Sequence, residues 1–323
     1  MTSGGTPRVA LVTAREALAL DEDLPPLRDA LAAQGADVAM PCWDDARVDW
    51  ARFDIAVLRS TWDYAERIGE FLEWAGRCAR LTRIANRVET VRWNTDKRYL
   101  VGLSHAGVPV VPTRFVSPGA DASAELTRFL SGAADSLTVG HADGFTDFVV
   151  KPVVGAGSRD VARYAREDGA AALQHLARLL DAGRRAMLQP YLQRVDEQGE
   201  TAVIFLGGVL SHAVRKGPLL KAGAGVVPGL FAREKLVPHD IDDAERRVAV
   251  ATLEAIPFGV PLYARVDLIR GNDGVPVVLE LELTEPSLYL GYAEGAAERF
   301  ADAVAAASQR RRISPENGPI ASQ

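Results

Sequence analysis

The sequence predicts a mixed α/β and α+β fold, with a small parallel-sheet unit first and a larger antiparallel body behind it. Two textures and one hairpin predict this. Up to about residue 90, short apolar runs alternate with amphipathic segments in a βαβ rhythm, and beyond it come short strands, glycine-rich loops and hairpins. Nearer the C-terminal end, LYARVDLIRG and VPVVLELEL both alternate apolar and polar residues on either side of the turn GNDG, the pattern of an antiparallel pair.

In order along the chain, VALVTA reads as a strand, PPLRDALAAQGA as a helix, DVAMPCW and FDIAVLRS as further strands, and ERIGEFLEWAGRCARL as an amphipathic helix. Ligands of such sheets gather beyond the carboxyl ends of the strands. Two loops qualify, ALALDEDLPP and RSTWDY. The body follows with VPVVPTRFV, DFVVKPVVGAGSRDVARY, AMLQPYL and TAVIFLGGVLSHAVRKGP as strands and hairpins, and with helices expected over 167–182 and 242–256. Residues 309–323, made of Ser, Pro, Gly and charge, are expected to form a flexible tail.

Composition narrows the partners. With 48% hydrophobic and 25% charged residues in 323, the chain has the make-up of a soluble protein with room for two or more domains. A net charge of -6 gives no support to a nucleic-acid or membrane partner. No stretch reaches transmembrane length, and the N-terminus lacks the charged and apolar regions of a signal peptide. Cys42 and Cys78 stand apart in apolar contexts and read as reduced thiols, which points to the cytoplasm. His105, His141, His175, His212 and His239 have no metal-ligand spacing and read as structural.

The hairpin poses the chemical question. Glu280 and Glu282 fall on one face while Leu279, Leu281 and Leu283 fall on the other, and two carboxylates about 7 Å apart repel unless a cation or solvent intervenes. Closing GNDG in perfect register sets Asp267 opposite Val278 and Glu280 diagonal to Asp267, with Arg265 two residues away. That face would suit an all-oxygen Mg²⁺ site or, equally, a solvated acidic surface. A calcium EF-hand is excluded by the placement of glycine and acids. Upstream, Lys151 ends an apolar strand and is followed by Gly155, Ala156, Gly157 and Ser158, small residues that let backbone N–H groups approach an anion. This is neither a Walker A loop nor a dinucleotide fingerprint, so a plain hairpin loop is the alternative.

The order of these pieces resembles the ATP-grasp superfamily. Lys97 in NTDKRYL, Lys151 in VVKP, LQPYL at 188–192, Gly199–Glu200, and finally ARVDL with LELEL follow its sequence, with ExE in place of the more usual ExN. Within it the chain is most similar to the cyclo-ligase branch of cycloserine biosynthesis, which closes O-ureido-D-serine; glutathione synthetase and the ribosomal-protein glutamate ligases are more distant. The similarity runs from about residue 8 to 305, including LVT, the RSxW loop and EPSL. It implies an ATP-grasp fold with a parallel-sheet pre-ATP-grasp domain at 1–90. An ATP-grasp domain would follow at 91–308, its two subdomains spanning about 112–190 and 191–308.

The resemblance also implies roles. Lys97 and Lys151 would contact the ATP phosphates, the loop Gly155, Gly157 and Ser158 would close over them, and Gln189, Tyr191 and Leu192 would form the adenine hinge. Glu200 would bind the ribose, with Asp196 as an alternative. Asp267, Glu280 and Glu282 would carry two Mg²⁺ ions, with Mn²⁺ as a substitute. Lys216 and Arg265, with Arg215, would offset charge on an acyl phosphate, although Arg215 stands where the cyclo-ligase is expected to have histidine. Arg59, Ser60, Thr61 and Trp62 could orient a substrate carboxylate, and Asp21 and Asp23 could pair with its ammonium group; for Trp62 and Tyr64 a core position is the alternative. The expected activity is ATP-dependent ligation of a carboxylate to an amine on a small amino-acid-derived substrate, intramolecular or not. A homodimer is compatible with it. The competing readings are a non-catalytic ATP-binding regulatory module and an intermolecular peptide or glutamate ligase.

Overall fold

The computed structural model describes residues 6–133, 138–140, 144–220, 225 and 235–309. The N-terminal unit runs β1 (Arg8–Thr13), α1 (Leu24–Ala33), β2 (Asp37–Ala39), β3 (Ile55–Ser60), α2 (Ile68–Leu81) and β4 (Arg83–Ala85). Its four strands pair in parallel in the order β2-β1-β3-β4. The near-continuous apolar runs of β1 and β3 follow from burial on both faces. The interval between β1 and α1 and the turn after β3 both lie beyond the strands' carboxyl ends.

Two short helices, α3 (Val88–Asn94) and α4 (Tyr99–His105), lead into the body. There β5 (Thr113–Val116), α5 (Ala122–Leu130), β6 (Thr138–Val139), β7 (Asp147–Pro152), β8 (Ala162–Ala165), α6 (Gly169–Asp181) and β9 (Ala186–Pro190) build an antiparallel sheet in the order β6-β5-β9-β7-β8. A second antiparallel sheet, β12-β11-β10-β13-β14, is preceded by α7 (Arg194–Gln198). It comprises β10 (Glu200–Leu206), β11 (Val209–Lys216), β12 (Leu236–Pro238), β13 (Tyr263–Arg270) and β14 (Pro276–Glu282), with α8 (Asp243–Glu254) between β12 and β13. Helix α8 starts on a capping box between Asp242 and Glu245.

The final helix, α9 (Ala296–Gln309), reaches back to the N-terminal unit. Its Phe300, Ala301 and Val304 share one core with Leu27 and Leu31 of α1 and with Ala202 and Ile204 of β10. The tail expected over 309–323 begins one residue later, because Gln309 closes α9; the remainder of that tail lies outside the described residues. His141 lies outside them too.

Edge strand β14 is held on its free side by side chains from α3 and α4. The Asn94 amide donates to Leu281 O at 2.7 Å and its oxygen accepts Leu283 N–H at 2.7 Å, while Tyr99 Oη accepts Leu281 N–H at 2.9 Å. These bonds satisfy backbone groups that an edge strand otherwise leaves unpaired.

Candidate active site

The β13–β14 pair departs from perfect register twice. Arg270 pairs with Pro276, so the turn is one residue longer than either closure expected from GNDG, and a bulge between Asp267 and Leu268 absorbs a second residue. Each insertion alone would flip the strand; together they preserve the face and change the partners. Asp267 therefore stands opposite Glu280, not Val278, and Arg265 stands opposite Glu282. The bulge also removes Leu279 from the core of Leu281 and Leu283, placing it with Ile269, Tyr191 and Leu192 on a cavity wall.

That cavity, of about 960 Å³, passes between the two antiparallel sheets and ends at the N-terminal unit. Ion pairs of alternating sign cross its floor. Glu200 faces Lys216 across β10 and β11, with Lys216 Nζ 2.8 Å from Glu200 and 2.9 Å from Asp267. Arg265 Nε lies 2.9 Å from Asp267, and its Nη2 reaches Glu282. Further along, Lys97 Nζ sits 3.0 Å from Glu280 and donates to Gly155 O at 2.8 Å, tying the glycine loop to the acidic hairpin. Ser158 and Gly157 of that loop both have left-handed backbone, at φ 62° and 64°. Serine adopts that conformation at a cost, a feature that clusters where loops approach ligands.

Burial and neighbours set the charges. Burial opposes ionisation of Asp267, but Arg265 and Lys216 bring its carboxyl down to about 2. Glu280 is likewise lowered against its burial, by Lys97 and Lys151. Burial raises Glu282 to about 7, with Arg265 opposing it and Glu280 and Asp267 adding to it. Lys151 is lowered, first by burial and then by Lys97 against the pull of Glu280. Lys216 ends well above its ordinary value because Asp267 and Glu200 overcome its burial.

At the apolar end, Gln189, Tyr191 and Leu192 line the cavity with Val149, Leu279 and Ile269. Gln189 Nε2 donates to Thr113 Oγ1 at 2.8 Å, so its amide nitrogen is engaged within the fold. Among the described residues, no three acidic, histidine or cysteine side chains converge as a metal-binding group. The hairpin carboxylates are turned onto Lys216, Arg265 and Lys97 instead. As hard oxygen donors on one face, Asp267, Glu280 and Glu282 could nonetheless hold Mg²⁺, and the raised Glu282 carboxyl reports negative charge that a divalent cation would offset.

Several expected residues sit elsewhere. Arg215 alternates with Lys216 along β11 and faces away from the cavity, reaching Gln198 O, His239 and Glu245. Arg59, Ser60 and Thr61 are buried behind the cavity wall: Ser60 bonds Thr13 at 2.8 Å, and Arg59 lies 3.8 Å from Asp21 and 3.3 Å from Asp23. Asp23 lines the cavity and accepts the N–H groups of Leu288, Tyr289 and Leu290, so its carboxylate fixes that loop. Asp196 stands outside the cavity, where it accepts Tyr191 Oη at 2.5 Å and pairs with Arg163; Glu200 is the carboxylate at the wall. Asp21, Asp23 and Trp62 line the end of the cavity nearest the N-terminal unit, joined there by Tyr64, Glu285, Ser287, Tyr289 and Tyr292. Of these, Glu285 was missed as a site residue because it lies past the alternating part of β14, where period no longer assigns a face. Burial raises its carboxyl to about 8, with Glu282 adding to the effect.

The family model of the N-terminal domain of D-cycloserine synthetase DcsG matches residues 9–86. Over 303 residues the chain is 44% identical to "Cycloserine biosynthesis protein DcsG" from Streptomyces lavendulae, covering 92% of this chain and 97% of that one. The chain belongs to the DcsG family of ATP-grasp ligases. The crystal structure of D-cycloserine synthetase DcsG superposes with a TM-score of 0.85 at 42% identity, covering 94% of this chain and all of that family member. The fold also matches an ATP-grasp RimK domain protein from Sphaerobacter thermophilus, at TM-score 0.64 and 21% identity over 91% of this chain and 98% of that one. D-alanine–D-alanine ligase from Bacillus anthracis gives TM-score 0.66 at 15% identity, covering 94% and 98%. As in the family, the chain is an enzyme that couples ATP hydrolysis to C–N bond formation.

Proposed function

We propose that the enzyme phosphorylates the carboxylate of a small amino-acid derivative and closes it onto an amine of the same molecule, as an O-ureido-D-serine cyclo-ligase in cycloserine biosynthesis. The observation that carries this reading is the single cavity in which the apolar hinge, the glycine loop with its lysines, the alternating charges and the substrate end lie in sequence. The relative from Streptomyces lavendulae, by its name, favours this pathway.

In this reading adenine lies against Val149, Leu279 and the backbone of 189–192, Glu200 takes the ribose, and Lys97, Lys151 and the loop Gly155, Gly157 and Ser158 hold the phosphates. Asp267, Glu280 and Glu282 would hold two Mg²⁺ ions, with Mn²⁺ as a substitute; these supply charge neutralisation and phosphate orientation when bound. Lys216 and Arg265 line the cavity beside these carboxylates. Both cations face the charge that builds on the transferring phosphoryl group and on the tetrahedral carbon. The amine next displaces phosphate, and the oxygen lost from the carboxylate leaves with it. Ring closure needs one substrate oriented, not two. Every group invoked comes from one chain, and a cytoplasmic location suits a consumer of ATP.

A panel of amino-acid derivatives assayed for ADP release tests this. O-ureido-D-serine should support ADP release and yield a cyclic product with no added amine. ADP release that depends on an external amine would make the enzyme an intermolecular ligase.

A further inference from the structure

At the end nearest the N-terminal unit the cavity carries one buried carboxylate with no basic side chain in ion-pair range among the described residues. Glu285 is 7% exposed and lines the cavity. Its neighbours are differently placed: Asp267 has Arg265 and Lys216, Glu280 has Lys97, Glu282 has Arg265, and Glu200 has Lys216. Of the other acids near this end, Asp23 is filled by three backbone N–H groups and Arg59, buried Asp21 has Arg59 at 3.8 Å, and Glu22 is exposed.

Glu285 is held from the N-terminal unit at two points. Trp62 Nε1 donates to its carbonyl oxygen at 3.2 Å, and the buried Tyr64 hydroxyl lies beside its carboxyl and favours the ionised form. Both aromatics belong to the turn that follows β3. The carboxylate is therefore fixed at the junction where the parallel sheet meets the acidic hairpin, and it shares the cavity wall with Glu282. A buried carboxylate that neighbours other carboxylates and lacks a cation is costly unless a ligand brings one.

We infer that Glu285, oriented by Tyr64 and Trp62, is the specificity residue that receives the cationic nitrogen of the amino-acid substrate. The inference deepens the proposed function and rests on its reading of the substrate as an amino acid. Glu285 would select for the protonated α-amine beside the carboxylate being activated, and Tyr64 would hold the acceptor oxygen toward it. Neutral or anionic acids of the same size would leave Glu285 without its cation and be rejected.

The test uses the full-length enzyme with Mg²⁺ and a non-hydrolysable ATP analogue, titrating O-ureido-D-serine and its desamino analogue by calorimetry. Wild type should prefer the amino compound by tenfold or more. Glu285→Gln should lose that preference by weakening the amino compound alone, while Glu285→Asp keeps most of it and Tyr64→Phe keeps part. ATP-analogue affinity should stay within twofold in all three, which also reports folding. If Glu285→Gln does not fold, a reduced preference in Tyr64→Phe with most of the preference kept in Glu285→Asp supports the assignment, and an unchanged preference in Tyr64→Phe overturns it. Equal weakening of both compounds in Glu285→Gln, or an unchanged preference, would overturn the assignment and leave the ligase reading standing. Failure of wild type to bind any amino-acid derivative would overturn both.

Discussion

At the scale of single residues, the proposed function divides the cavity's cations into those that meet ground-state nucleotide and those that meet developing charge. Lys151→Ala should weaken ATP by about tenfold or more, the worth of a hydrogen bond between charged groups, with a smaller effect on turnover at saturation. Calorimetry against steady-state kinetics separates the two. Arg265→Lys keeps the charge but loses the fork that spans Asp267 and Glu282, so kcat should fall by about 10²-fold while ATP affinity holds. A pure binding defect would contradict the role given to Arg265. Glu280→Gln should stay folded, by thermal unfolding, yet release almost no ADP. The identities of these residues were readable from the chain because lysine, arginine and acid occur in a telling order. Their surroundings were not: Arg215 and Lys216 are adjacent in sequence, and only the pleat of β11 decides which of them enters the cavity. Arg59 looked like a ligand for the same reason that it serves as a buried support, since a guanidinium at a strand end can bind either a substrate or Asp21 and Asp23.

At the scale of elements, the acidic hairpin works only if β14 is held in place, and α3 holds it. Asn94→Ala should leave the Leu281 carbonyl and the Leu283 N–H unpaired in a buried setting, at a cost of about 1–3 kcal/mol for each group. A lowered Tm together with a fall in kcat is expected, because Glu280 and Glu282 ride on the same strand; Asn94→Asp should recover less than half of the loss, since a carboxylate cannot donate. An unchanged Tm would remove Asn94 from this role. The hairpin also shows what alternation can and cannot predict. Period two assigned Glu280, Glu282 and Asp267 to one face correctly, because the longer turn and the bulge shift the register by two residues in all. It could not give the cross-strand partners, nor the transfer of Leu279 to the cavity wall, since neither insertion has a signature in GNDG.

At the scale of the whole molecule, charge buried in the cavity should make stability depend on pH. Glu282 at about 7 and Glu285 at about 8 bind protons more tightly in the folded chain than in the unfolded one. Their contribution is present at low pH and lost as pH rises through those values. His175, buried and lowered to about 4, acts in the opposite sense below about 6.5, as does the lowered His212, so the two acids are read over pH 6.5–8.5, where the lowered Lys151 is the group that opposes them. Across that window the Tm of the ligand-free enzyme should fall, and Glu285→Gln should flatten the decline. A Tm that rises with pH there would contradict the burial of these acids. The overall plan, a parallel sheet followed by two antiparallel ones, was legible because βαβ rhythm and hairpin texture differ along the chain. The return of α9 to α1 was not, since a C-terminal amphipathic helix does not name the surface it will cover.

The central claim is that a carboxylate is activated by phosphoryl transfer before an amine attacks it. Substrate labelled with ¹⁸O in both carboxyl oxygens, turned over with ATP and Mg²⁺ and followed by mass spectrometry, tests it most directly. One label should appear in inorganic phosphate for each cyclic product formed, and the product should keep the other. ADP release with every label retained in the organic product would contradict the acyl-phosphate route, and with it the role assigned to the charges along the cavity floor.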